Sequence, residues 1–368
     1  MDEALKMYRK NELGFNEACR KYKIPKPTFR RHLKGLNVNT KFGRPKYLTD
    51  EAENEFVQYL LAMEANFFSY SVTALRQLAY QFAEKHKLPH PGFNKAQKMA
   101  GKHWYYNFKK EYPLLFSRTL MAISPRNKKL CMGRVRDFYN KYEKILNEHN
   151  LGADRIYNID STTLSHADNE LISKNRSLSV TCICAMNPVG EFIPPMLIYE
   201  RNTVDDSLKK EAPANTAFGC SKNGCITPEL FLQWLEHFIK YTNLEESKNI
   251  QMLLLLDGHN EYSKSLAAMQ LAREYGIFLL SFPLHTTQCL QPLRRTFFKS
   301  LEDTYKEAAN FWLSSNHGKD IEQTNYAEIL GYAFPRCVHM ELGLKNFEIT
   351  GLWPFNPNLV TEEYFIKS

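Results

Sequence analysis

Two aspartates stand where short apolar runs end. Asp257 follows the run Met252-Leu253-Leu254-Leu255-Leu256 and precedes Gly258-His259-Asn260, so it reads as a carboxylate at the mouth of a buried strand. Asp160 is its counterpart near the end of "RIYNIDST" (Arg155 to Thr162), a second short apolar strand that stops in polar residues. Two strand-end carboxylates can converge on a hard divalent cation, which prefers oxygen ligands. A single Asp at a strand end is usually a cap or a turn residue, so the pair carries the suggestion and neither member does alone. A third position competes with it: Arg294 and Arg295 follow each other in "PLHTTQCLQPLRRTFF" (Pro283 to Phe298). A guanidinium stays protonated and offers donors only, so it repels a metal and can pair with a carboxylate instead.

The elements that would position these groups are legible. An amphipathic helix through Tyr139, Tyr142, Ile145 and Leu146 leads to the strand from Arg155. Asn187-Pro188-Val189-Gly190 separates two β-rich runs and predicts a hairpin beside that strand. Residues 228–242 form a helix with Phe231, Trp234, Leu235 and Phe238 inward. The strand Met252 to Asp257, a helix from Ser263 to Tyr275 and a strand from Ile277 to Ser281 follow. Pattern alone makes this a mixed α/β domain.

Five blocks in order resemble the pogo/Tigger branch of the DDE-type transposases, the group that includes centromere protein B-like proteins. They are "NID" at Asp160, "SVTCICAMNPVGEFIPPMLIY" (Ser179 to Tyr199), "SKNGCITPELFLQWLEHF" (Ser221 to Phe238), "LLLLDGH" at Asp257 and "TTQCLQPL" before Arg294. A sixth, "NFEITGLWPFNP" (Asn346 to Pro357), matches the tail, so the likeness covers nearly the whole chain. The resemblance implies a ribonuclease-H-like fold and an ancestral strand-cleaving enzyme with Asp160 and Asp257 as metal ligands. It also implies an aspartate after Gln-Pro-Leu, where this chain has Arg294. Leu284 and Gln288 depart from the usual pattern of the same loop, which makes His259 and His285 expected remnants and not ligands. Glu302 and Asp303 follow Arg294 on the next helix. Asp303 is nine residues on, roughly 13 Å at ~1.5 Å per residue, and is not expected to replace the missing acid. Trp353 is expected to anchor the carboxyl-terminal segment in the core.

Charge divides the chain. Residues 1–128 carry 24 Lys/Arg against 11 Asp/Glu, a balance of +13, and residues 129–368 carry 24 against 29, a balance of −5. Such a basic front is the electrostatic footprint of a polyanion-binding module. Residues 2–10 and 14–23 read as helices, and "YKIPKPTFRRHLKG" (Tyr22 to Gly35) adds a turn, a third helix opened by proline and a glycine stop, which is a helix-turn-helix. Its core is expected from Leu5, Tyr8, Ala18, Tyr22, Ile24, Phe29 and Leu33, leaving Lys26, Thr28, Arg30, Arg31 and Lys34 to face DNA. The segment resembles the psq-type motif of pogo-like proteins. Arg44 and Lys46 in "GRPK" could enter a minor groove from an extended segment.

A second helical unit resembles the centromere protein B-like helix-turn-helix. Thr49 caps its first helix, Ser71 its second, and "AGKHWYYNFKKEYP" (Ala100 to Pro113) gives its third. Trp104 and Phe108 are expected in its core, with Lys102, His103, Lys109 and Lys110 as DNA-backbone contacts.

At 43% hydrophobic and 24% charged residues the composition is globular, which excludes a disordered chain. The eight cysteines contain no C-x-x-C pair, which argues against zinc or a redox dithiol. Met1-Asp2-Glu3 enters a charged helix with no signal peptide, and no run of about 18 apolar residues exists for a membrane span. A nuclear protein is therefore expected.

The expected organisation is a multidomain chain: an all-α tandem helix-turn-helix region (1–46 and 47–116), a linker and helix (117–150), and an α/β ribonuclease-H-like DDE domain (151–368). Its expected function is binding double-stranded DNA, with the DDE domain no longer an enzyme, needing no cofactor and free for self-association or a protein partner. The alternative is an active transposase or endonuclease that uses Mg2+ or Mn2+ on Asp160, Asp257 and a third ligand not yet recognised.

Overall fold

The computed structural model describes residues 1–35, 48–88, 90, 92–116, 128–166, 179–246, 250–257 and 265–361. The helices that follow Thr49, Ser71, Thr227 and Ser265 are capped by those side chains. The first unit holds α1 (Asp2–Arg9), α2 (Phe15–Lys21) and α3 (Lys26–Leu33). Pro27 lies in the first turn of α3, where a missing N–H costs nothing, and Gly35 ends the segment at φ +65°. Ala4, Ala18, Cys19 and Phe29 are buried there, with Leu5, Tyr8, Leu13, Phe15, Tyr22, Ile24 and Leu33 packed around them.

In the second helical unit, Thr49 accepts a hydrogen bond from the Ala52 N–H at the start of α4 (Asp50–Ala65). Ser71 does the same for Ala74 at the start of α5 (Val72–Lys85), and α6 (Lys102–Glu111) completes the trio. Phe56 lies 5.2 Å from Phe82, 6.1 Å from Trp104 and 5.6 Å from Phe108 between ring centroids, so both sequence-predicted aromatics belong to the core.

The remainder is built on α7 (Lys128–His149) and a six-stranded sheet. Its strands are β1 (Ile156–Leu164), β2 (Val180–Met186), β3 (Phe192–Glu200), β4 (Ala217–Ser221), β5 (Met252–Leu256) and β6 (Ile277–Ser281), in spatial order β4-β3-β2-β1-β5-β6. The β1-β2-β3 meander is antiparallel, whereas β5 runs parallel to β1 and β6 parallel to β5. This is the ribonuclease-H-like arrangement. β4, five residues without alternation that pair parallel to β3, carries no strand signature in the sequence.

The leucine run of β5 is apolar throughout because both faces of the sheet are covered. Leu253 and Leu255 enter the core shared with α7, with α10 (Phe298–Ser315) and with α11 (Tyr326–Cys337). Met252, Leu254 and Leu256 enter the opposite core, with Trp234 of α8 (Pro228–Tyr241) and Ala268 of α9 (Leu266–Glu274). The tail block packs behind α12 (Met340–Glu348) and closes on α7, where Tyr139 and Tyr142 donate hydroxyl hydrogen bonds to the carbonyls of Thr350 (2.6 Å) and Leu352 (3.0 Å). Trp353 packs half-buried at the edge of that core.

The chain divides into two compact units, Met1–Tyr47 and Leu48–Ser368. The second helical unit belongs to the larger body. Met63 and Phe68 join the core beneath α8, the Ser281 N–H donates to the Asn66 carbonyl at 3.0 Å, and the Leu266 N–H donates to Gln81 Oε1 at 3.2 Å.

Candidate functional site

Strand pairing fixes where the two acids sit. β1 and β5 are parallel neighbours, with Asn158 opposite Leu255, so Asp160 and Asp257 both lie two residues past that pair at the same end of the sheet. Asp160 is 2% exposed and Asp257 9%. Asn158, wholly buried between them and the next helix, donates through Nδ2 to the Leu255 carbonyl (3.2 Å) and accepts at Oδ1 from the Leu293 N–H (3.0 Å). One amide thereby ties β1, β5 and the segment carrying Arg294 together. Asn158 stands in the "NID" block, where nothing in the sequence signals this role.

Arg294 lies in a π-helical turn, Leu293–Phe297, that leads into α10. Its Nε donates to Asp160 Oδ2 at 2.5 Å, its guanidinium carbon is 5.9 Å from the Phe298 ring centroid, and its side chain remains 42% exposed. Arg295 turns the other way and donates through Nη1 to the Gln288 carbonyl at 2.7 Å, bracing the short helix Thr287–Leu290. From that helix Thr287 donates to Asp257 Oδ1 at 3.4 Å. His285, exposed, sits at φ +65° in the same loop, and His259 lies outside the described residues. Glu302 accepts a hydrogen bond from Thr162, two residues along β1 on the same strand face as Asp160, while Asp303 is exposed.

This donor set does not fit a two-metal centre. Hard divalent ions need anionic oxygens turned toward a shared point. Asp160 instead has a permanent cation on one oxygen, and among the described residues no group of three or more His, Cys, Asp or Glu could hold a metal.

Burial pushes the Asp160 carboxyl up to about 6; the charge of Arg294 and its hydrogen bond pull it down, as does the Ser161 N–H, and Asp257 adds a further upward push. The folded value lies above the ordinary 3.8, so the native state binds more protons than the unfolded chain between the two. Stability from this group is therefore present below about pH 4 and lost as pH rises toward about 6. Urea unfolding across pH 4 to 7 is expected to show that decline in the wild type and a smaller one in Asp160→Asn; parallel curves would refute it.

On α3, Lys26, Arg30 and Arg31 are exposed and Thr28 is partly so, and Lys34, which follows the helix, is exposed as well. Arg30 lies over the Phe15 ring at 5.6 Å, so packing already orients it. Arg44 and Lys46 lie outside the described residues. On α6, Lys102, His103 and Lys110 share the exposed face, whereas Lys109 is half-buried, 5.8 Å from the Phe116 ring centroid, in a cavity of about 200 Å3 lined by Leu60, Phe68 and Leu75 among others. The exposed face also carries Tyr106, 64% exposed, and Asn107, which the sequence reading did not single out although they follow His103 at helical spacing. Replacing Lys26, Arg31 and Lys34 by alanine is expected to lower the slope of log K against log salt by roughly 0.9 for each DNA phosphate that is no longer neutralised. Fluorescence anisotropy with a DNA duplex measures it, and an unchanged slope would remove α3 from the interface.

A six-stranded sheet that sets Asp160 within β1 and Asp257 just past the end of β5 follows a basic helix-turn-helix in the chain; Asp160 does not end its strand as the sequence suggests, because β1 runs on to Leu164 paired with β2. Two sequence families match these parts: residues 1–37 match the helix-turn-helix Psq domain, and residues 175–340 match the DDE superfamily endonuclease. The chain thus joins a Psq helix-turn-helix to a DDE superfamily endonuclease domain; Asp257 and Arg294 fall inside the second match and Asp160 before it. A curated relative, the MFS-type transporter clz9 of Cochliobolus lunatus, is 29% identical over 189 residues, 51% of this chain. The chain spans about a fifth of that protein's length, at 20%. Among the described residues no helix is long and apolar enough to cross a membrane. Solved structures with likeness include the Mos1 transposase catalytic domain with Raltegravir and Mn (11% identity, 60% of this chain and 96% of that one, TM-score 0.34). Another is the mariner Mos1 paired end complex with Mg (12% identity, 96% of each chain, TM-score 0.34).

Proposed function

We propose that this chain is a double-stranded-DNA-binding protein derived from a pogo/Tigger-type transposase, acting in the nucleus, whose DDE domain no longer cuts DNA. The Psq helix-turn-helix and the basic first third supply the DNA contacts. The Arg294–Asp160 ion pair carries the second half of the proposal, because it stands where the resemblance implies a metal-binding aspartate. The DDE domain then serves as scaffold, open to self-association or a protein partner. Nicking of supercoiled DNA in Mn2+ or Mg2+ by the purified protein, beside Arg294→Asp, tests the loss of cleavage.

One contact favours the rival reading of an active metal-dependent endonuclease. The Thr162–Glu302 hydrogen bond sets a third acid along β1 from Asp160. Wild-type nicking that is abolished in Glu302→Gln would establish it.

A further inference from the structure

The core of the second helical unit is already full. Phe56 of α4 lies within 6.1 Å of the Phe82, Trp104 and Phe108 rings, measured between centroids. Helical geometry turns Tyr105 and Lys109, one turn apart, to an adjoining face of α6. That face borders the cavity of about 200 Å3, whose walls include Leu60 of α4, Phe68, Leu75 of α5, Tyr105 and Phe116. Phe68 also belongs to the core beneath α8, so the cavity lies where the helical unit joins the larger body. Ser71 and Val72 are exposed at its rim, which leaves it open to solvent.

We propose that this cavity is a binding site for a small neutral aromatic molecule of one or two fused rings. Size sets the first limit. An apolar cavity of about 150 Å3 takes up benzene, so a larger one of about 200 Å3 admits a second ring. It is still smaller than the roughly 300 Å3 at which sites for drug-sized ligands begin. The walls set the second limit, since they are rings and aliphatic chains, and a ring packs edge to face on a ring as Tyr105 does on Phe116 at 5.8 Å. Charge sets the third. Among the described residues of the wall the charged ones are Glu64 and Lys109, of opposite sign, so no net charge selects an ion. Unfilled apolar space costs stability, and a ligand that fills it therefore favours the folded chain. Lys102, His103 and Tyr106 of the same helix are exposed on its other side, so a ligand behind α6 also steadies the face that the helix presents.

Indole is the probe, titrated calorimetrically into the full chain. One site with a Kd below about 1 mM is expected. Indole-3-carboxylate and tryptamine, which add a charge to the same rings, should bind at least about tenfold more weakly. Hydrogen exchange read by mass spectrometry should slow in peptides covering 57–75 and 102–116, and stay unchanged in 155–164 and 287–301 around Asp160 and Arg294. Leu75→Trp puts an indole ring into the cavity from α5 and should weaken the probe at least about tenfold. Val72→Trp narrows the mouth from an exposed position, where folding is not at stake, and should weaken it at least about threefold. No binding by the wild type would overturn the proposal, as would unchanged affinity in the folded variants or protection confined to other segments. Charged analogues that bind as tightly as indole would overturn it too.

Discussion

Arg294→Asp protein is expected to nick supercoiled plasmid in Mn2+ at least about tenfold faster than the wild type, with the difference abolished by EDTA. Chain geometry underlies the expectation. The Nε of arginine lies four atoms out from Cα and touches Asp160 Oδ2 at 2.5 Å. An aspartate oxygen at the same position lies three atoms out, so it stops short of Asp160 and leaves room for a cation whose oxygen ligands stand at about 2.0–2.1 Å. The substitution also removes a positive charge that would oppose entry of the ion. Equal nicking by both proteins would sink the disabled-site reading and direct attention to Glu302. If neither protein nicks, Arg294 is not the sole block, and the neighbouring departures at Leu284 and Gln288 come into question.

Asn158→Ala is expected to cost about 3–5 kcal/mol of stability, the largest loss from any single polar residue near the site. The side chain is wholly buried, and its removal leaves the Leu293 N–H and the Leu255 carbonyl without the partner each has now. An unmet buried polar group costs about 1–3 kcal/mol, and the cavity adds to it. The urea midpoint should drop with the slope unchanged. A loss below about 1 kcal/mol would show that water or a shifted backbone meets these groups, and that Asn158 does not set the position of Arg294. Cleavage restored in Arg294→Asp should disappear again in the double variant, since the helix would no longer hold position 294 over β1.

Local physics made much of the protein legible. Thr49 and Ser71 cap their helices as the chain suggests, because capping involves residues only three apart. The apolar run of β5 identifies a strand covered on both faces, and the residue that ends such a run lies at the sheet's edge. Asp257 is therefore placed from sequence just past β5, whereas Asp160 lies within β1, which runs on to Leu164, and only the parallel pairing of β1 with β5 brings the two acids level. The basic front of the chain and the helix-turn-helix core follow from composition and helical spacing in the same way.

Tertiary structure decided the pairs. Arg294 could have met Asp160, Asp257 or solvent, and it meets Asp160 across 134 residues of chain because Asn158 pins Leu293 to the sheet. Glu302 reaches Thr162 across 140 residues, a proximity that counting along a helix from Arg294 does not reveal. Lys109 lies over Phe116 and not beside Lys110, and the second helical unit joins the body of the DDE domain through Asn66 and Gln81. Sequence by itself determined which residues could do chemistry and which elements carry them, since strand ends, caps and charge are properties of neighbouring residues. Which acid received the guanidinium, and which face each cation took, was left to packing, because those pairs join residues that only the folded chain brings within reach.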